Sequence, residues 1–123
     1  MVVDTSLLVA VFFGERHAAW ATEQLAQSAG ELRMSTVNLV ETLILLRDRQ
    51  PTLAAELEER LLTSGIRFVA PDVEQARLAA AARLRFPLNL GDCFAYALAK
   101  VEGCAILTLD QDFRAVDCPV VLP

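Results

Sequence analysis

Cysteine, glycine, lysine and long apolar runs are all scarce in this sequence, and each scarcity removes a class of protein. The three cysteines, Cys93, Cys104 and Cys118, are odd in number and form no C-x-x-C pair. That excludes a disulfide framework and a thiolate zinc site; the three read as small buried apolar residues, with Cys93 at a helix packing position. No two of the five glycines have the spacing of a G-x-G-x-x-G or phosphate-loop motif, which disfavours the nucleotide-binding folds. The only lysine, Lys100, falls inside a helical pattern. A phosphoacceptor receiver domain instead wants a lysine after a late strand and a paired acid beside its first strand. Near the start, the longest uncharged apolar stretch is Leu7 to Phe13, whereas a membrane-spanning helix needs about 20 residues. No basic segment precedes the apolar N-terminal run, and Asp4 falls inside that run, against a secretory signal. The expectation is a cytoplasmic protein with no membrane segment.

What the chain does have is apolar mass. Of its 123 residues 54% are hydrophobic, and the mean hydropathy is positive. This suits one domain, residues 1–123, with a substantial core. Short apolar runs alternate with helical patterns. Strands are expected at Met1–Val3, Leu32–Ser35, Ile66–Val69, Ala105–Leu109 and Val120–Leu122. Helices are expected at Ser6–Phe13, His17–Ala29, Val37–Arg49, from an N-cap at Thr52 to about Thr63, at Val73–Arg85 and at Gly91–Glu102. The two helices between Val37 and Thr63 lack an intervening strand and predict an arm or hairpin. Strands separated by helices need crossover connections and build a parallel sheet covered on both faces. The predicted architecture is α/β: a three-layer α/β/α sandwich.

Four carboxylates recur in similar settings: Asp4 after Val2-Val3, Glu41 in Asn38-Leu39-Val40-Glu41, Asp92 after Leu90-Gly91, and Asp110 after Leu107-Thr108-Leu109. Each follows a strand-like run or lies near a helix start. In an open parallel sheet such places gather outside the carboxyl ends of the strands. Each also has a plain reading. Asp4 makes a good N-cap. Asp92 suits a helix N-terminus, and Asp110 a polar turn that also brings Asp112 to the cleft. Glu41 lies on a stripe with Val37, Asn38, Ile44 and Leu45 and has no basic residue near it in sequence, so it needs a distant partner or a cation. Together the four acids suggest a site for a hard divalent ion, with Ser6 and Thr108 as supporting hydroxyls. One or two such ions activate water and stabilise a leaving oxygen in phosphodiester cleavage, with no need for the single histidine, His17, as base. The net charge of −5 counts against a nucleic-acid partner, but removing the four acids from it leaves −1. Ten of the eleven basic residues are arginine, which binds phosphate bidentately.

These same motifs carry a resemblance. The sequence resembles the PIN-domain ribonucleases, specifically VapC-type toxins of toxin–antitoxin pairs, through Val2-Val3-Asp4-Thr5-Ser6, Val40-Glu41, Leu90 to Ala99 and Ile106 to Phe113, in order and over essentially the whole chain. The resemblance implies a PIN-like parallel sheet and a Mg²⁺- or Mn²⁺-dependent endoribonuclease. It implies an acidic site of Asp4, Glu41, Asp92 and Asp110, with Asp4, Asp92 and Asp110 as metal ligands. Ser6, Thr108 and Asp112 match supporting positions. It also implies an RNA substrate, a cognate antitoxin that plugs the cleft, and a homodimer. A haloacid-dehalogenase-like phosphatase would need a second aspartate where Ser6 stands. The remaining alternative is a catalytically silent PIN-like module that binds RNA or protein.

Overall fold

A computed structural model describes all 123 residues. Five parallel strands, β1 (Val2–Val3), β2 (Arg33–Ser35), β3 (Arg67–Val69), β4 (Ile106–Leu107) and β5 (Val120–Val121), form one sheet in the order β3-β2-β1-β4-β5. Six helices cover it: α1 (Thr5–Phe13), α2 (Ala18–Gln27), α3 (Thr36–Arg49), α4 (Ala54–Leu62), α5 (Val73–Arg85) and α6 (Leu90–Glu102). This is the predicted three-layer α/β/α architecture.

The two residues of β1 show how the layers arise. Successive strand side chains point to opposite faces. Val2 joins one core with Ala79, Ala82, Leu98 and Phe113, under α5 and α6. Val3 joins the other with Leu7, Ala21, Met34 and Leu61, under α1, α2 and α4. Both valines are fully buried. The chain leaves β1 towards β2 on one side, while β4 pairs on the other. The strand order therefore reverses between β1 and β4, and the crevice of such a sheet opens at that point.

Several expected boundaries change for local reasons. Thr52 is not the cap of α4: Leu53 holds that place, in αR conformation and without a side-chain cap bond. After Pro51 the chain first makes a turn, with the Leu53 amide bonding to Gln50 O at 3.0 Å, and the helix starts from there. Of the expected arm or hairpin, α3 and α4 form the hairpin. They pack on each other, and α3 also packs on α1, α6, β2 and β3. The fourth strand stops at Leu107, two residues early, because the hydroxyls of Ser6 and Thr108 take the next amides. Beyond it Gln111–Ala115 is a 3₁₀ turn anchored by buried Phe113. Helix α2 is shorter than expected, and His17 at its start is exposed and left-handed, with φ 69°. Cys93 is buried as expected, but Cys104 and Cys118 are only half-buried. No helix is long and apolar enough to cross a membrane.

Candidate functional site

Strand register builds the first half of the site. Val2 pairs with Ile106 and Val3 with Leu107, so the next rung sets Asp4 beside Thr108. The Asp4 amide extends the ladder, donating to Leu107 O at 3.0 Å. Thr108 Oγ1 then donates to Asp4 Oδ2 at 2.8 Å, and Ser6 Oγ donates to the same oxygen at 2.7 Å. Both hydroxyl oxygens accept in turn: Ser6 Oγ from the Leu109 amide and Thr108 Oγ1 from the Asp110 amide, each at 3.0 Å. Thr108 therefore orients the carboxylate of Asp4 and, at Asp110, only the backbone. Asp4 does N-cap α1, through a longer bond of 3.4 Å from the Ser6 amide. All three donors converge on Oδ2. The other oxygen, Oδ1, is buried with no hydrogen-bond partner.

Glu41 arrives on α3, which Ser35 caps at the end of β2. Its Oε1 accepts from Thr5 Oγ1 at 3.0 Å and from Asn38 Nδ2 at 2.9 Å. Asn38 is fully buried and uses the same amide group to reach Gly91 O at 3.0 Å, which ties α3 to the first turn of α6. The side of α3 around Glu41 is less buried than its sequence implied. Ile44 is 60% exposed, and Glu41 itself is half-buried with no basic partner. Gly91 packs so closely on the Glu41 carboxylate that a Cβ there would collide with both of its oxygens.

Asp92 stands in the first turn of α6. It forms a capping box with Asn89: its amide donates to Asn89 Oδ1 at 2.9 Å, and the Asn89 amide donates to Asp92 Oδ2 at 3.3 Å. The Asp110 carboxylate starts the 3₁₀ turn by accepting from the Asp112 amide at 2.9 Å. Asp112 lies exposed on that turn.

The other four are linked through their charges. Burial raises the pKa of Asp4, opposed by its Ser6 and Thr108 bonds, and the charge of Asp110 raises it further. Burial, then the charges of Asp4, Asp110 and Glu41, push Asp92 up to about 7. Every ion pair of the molecule is elsewhere, on Glu15, Glu58, Glu102 and Asp117. Four acids with no basic partner and one unbonded buried carboxylate oxygen match the donor chemistry of a hard divalent cation. No three ligating side chains stand close enough to enclose an ion by themselves. That suits Mg²⁺, which keeps several waters and takes few protein ligands.

Sequence reading missed Asn38 and Thr5 as partners of Glu41. The signal for Asn38 was its i−3 spacing from Glu41 on one helix face. Thr5 had none beyond adjacency to Asp4. A groove of about 510 Å³ holds none of the acids; it is lined mainly by apolar residues of α1, α2 and α4, among them Phe12, Leu25 and Leu57.

The sequence pattern of the PIN domain matches residues 1–118. This chain belongs to the PIN-domain family. Ribonuclease VapC42 of Mycobacterium tuberculosis is 39% identical to this PIN-domain chain over 126 aligned positions, covering 95% of each. Ribonuclease VapC of Mycolicibacterium smegmatis is 38% identical, covering 98% of this chain and 99% of its own. Among solved structures, VapC20 of M. tuberculosis, a Sarcin-Ricin loop cleaving toxin, aligns with TM-score 0.84 and 23% identity, covering 99% of this chain and 98% of its own. A toxin–antitoxin complex from Klebsiella pneumoniae aligns with TM-score 0.77 and 21% identity, covering 98% and 94%. The last two establish a shared PIN fold.

Two predictions arise from this geometry. Alanine is the better helix former by about 1 kcal/mol, yet Gly91→Ala is expected to destabilise the PIN domain by about 1 kcal/mol, because its Cβ pushes the Glu41 carboxylate off its bonds to Thr5 and Asn38. In a Glu41→Ala background the same change should become neutral or stabilising. Urea unfolding of the four proteins measures that coupling, and additive effects would contradict the contact. The second prediction concerns pH. Folded Asp92 holds its proton up to about 7 rather than 3.8. Between those values the folded state binds more protons than the unfolded chain, so stability must fall as pH rises through the window. Urea midpoints in chelator should drop from about pH 4 to 7, and Asp92→Asn should flatten the slope. An unchanged slope in the variant would dismiss Asp92 as its source.

Proposed function

We propose that this PIN-domain protein is a divalent-metal-dependent endoribonuclease and the toxin of a toxin–antitoxin pair. The observation that carries the reading is the convergence of Asp4, Glu41, Asp92 and Asp110 at the sheet's switch point without any cationic partner. Full-length relatives that are VapC ribonucleases support it. Asp4, Asp92 and Asp110 would hold Mg²⁺ or Mn²⁺, with Glu41 completing the acidic site. When bound, such an ion neutralises the acids, supplies an activated water and stabilises the leaving oxygen. The chain's own residues do the positioning. Ser6 and Thr108 aim Asp4 by saturating one of its oxygens. Asn38 and Thr5 hold Glu41, and the Asn89 capping box holds Asp92. A silent binding module would have no use for four acids kept together at an electrostatic cost.

The partner reading draws on the toxin–antitoxin complexes among the structural neighbours. A cognate antitoxin would cover the acidic cleft. A homodimer is the expected assembly, and Val40 and Ile44, one turn apart on α3 and both more than half exposed, offer apolar surface for it.

Cleavage of single-stranded RNA by the purified protein tests the core reading. Asp4→Asn and Asp92→Asn should each lower the rate at least about 100-fold with unchanged circular dichroism. Excess chelator should stop the wild type, and added Mg²⁺ or Mn²⁺ should restore it. Undiminished cleavage in chelator would remove the metal, and equal rates in Asp92→Asn would remove the site. In cells, expression alone should arrest growth and co-expression of the neighbouring antitoxin should relieve it; normal growth at good expression would count against a toxin.

A further inference from the structure

An acidic protein with an acidic cleft must still hold a polyanion. Electrostatic attachment to RNA rests on Lys and Arg contacts to phosphates, so the question is which cations are free to make them. Five of the ten arginines are committed to carboxylates: Arg33 and Arg67 to Glu102, Arg47 to Glu58, Arg49 to Glu15 and Arg85 to Asp117. Lys100 also faces Asp117. That leaves Arg16, Arg60, Arg77, Arg83 and Arg114 without an acidic partner. Arg60 lines the apolar groove, Arg77 lies on α5, and Arg114 is bonded to Gln111. Arg83 is near Cys93.

Arg16 differs from the rest by position. It lines a groove of about 360 Å³ that also contains Ser6, Val9, Ala10, Leu109 and Asp110. The groove therefore runs along α1 from the α1–α2 turn to two residues of the candidate site. The turn is fixed on both sides of Arg16, by Gly14 at φ 61° and His17 at φ 69°. Its neighbour Glu15 also lines the groove, but that charge is taken up by Arg49 at 3.3 Å, whose guanidinium stacks 4.0 Å above the Phe13 ring. The local result is one exposed, uncompensated guanidinium at the far end of a groove whose near end is acidic.

We propose that Arg16 is the substrate-binding residue that holds an RNA phosphate flanking the scissile one. This rests on the endoribonuclease reading and names the contact through which the cleft retains its polyanion. Arginine suits the task because its planar fork meets two phosphate oxygens at once. The strand would lie along α1, between Arg16 and the acids.

The test separates binding from cleavage. Short fluorescein-labelled single-stranded RNA of mixed sequence is titrated against the Asp92→Asn protein by anisotropy. Arg16→Ala and Arg16→Glu, each added to that protein, should weaken binding roughly tenfold or more, the loss of one charge-assisted contact. The salt slope should fall by about 0.7, the single-strand value for one phosphate contact. Arg16→Lys should recover part of the affinity but not the bidentate share. Arg77→Ala, equally unpaired but outside the groove, should change little. In the wild-type background Arg16→Ala should raise KM with kcat nearly kept. Equal losses in Arg16→Ala and Arg77→Ala would reduce the effect to net charge and overturn the proposal, as would unaltered binding in Arg16→Glu. Failure of wild-type cleavage alone would strike the enzymatic reading, while the binding series would still decide the role of Arg16.

Discussion

The parallel pairing of β1 with β4 is the constraint on which the site depends. It places Asp4 beside Thr108, residues 104 positions apart, and the 2.8 Å bond between them follows from that adjacency. A slip of one residue would turn every side chain of these strands to the opposite face. Val2 and Val3 prevent the slip, because each is committed to a different core. The same two valines that close the sandwich therefore set the aim of the first acid.

Around that anchor the molecule keeps its acids in place with neutral donors only. Hydrogen bonds to an ionised group contribute about 1.5–3 kcal/mol each, and Asp4, Glu41 and Asp92 each accept from hydroxyl, amide or backbone groups. Those donors fix geometry without cancelling charge. A lysine or arginine in the same place would neutralise an acid and occupy the position a bound cation needs. The rise in the pKa of Asp92 is the residual cost, produced by burial and by the other three acids.

The sequence made the broad plan legible because period and order survive without contacts. Apolar runs and helix stops gave six helices, five strands and the parallel sheet, and the four acids stood out by their place after strands. The partner of each acid was harder to read. Thr108 stands out as a supporting hydroxyl, but only the register shows that it serves Asp4. Ile44 looked buried from its spacing, yet the packing of α3 leaves it exposed. The polar turn after β4 suggests that Asp112 reaches the cleft beside Asp110, and in the 3₁₀ turn Asp112 is exposed. Thr52 obeyed the rule for a cap and lost to the turn that Pro51 begins. Each miss concerns a side chain whose direction depends on another segment.

Charge is sorted along the strands. Arg33 and Arg67 lie at the amino ends of β2 and β3, directly opposite each other in register, and Glu102 at the end of α6 bridges both. The acids stand at the carboxyl ends. The formal charge of −5 is therefore not spread evenly: cations at one sheet edge are already satisfied, and anions at the other are not. A polyanion meets repulsion at the open edge unless a cation is bound there and a guanidinium is within reach. Net charge alone argued against a nucleic-acid partner. The distribution weakens that argument, because five arginines are left without a carboxylate, and Arg16 is the one that shares a groove with Ser6 and Asp110.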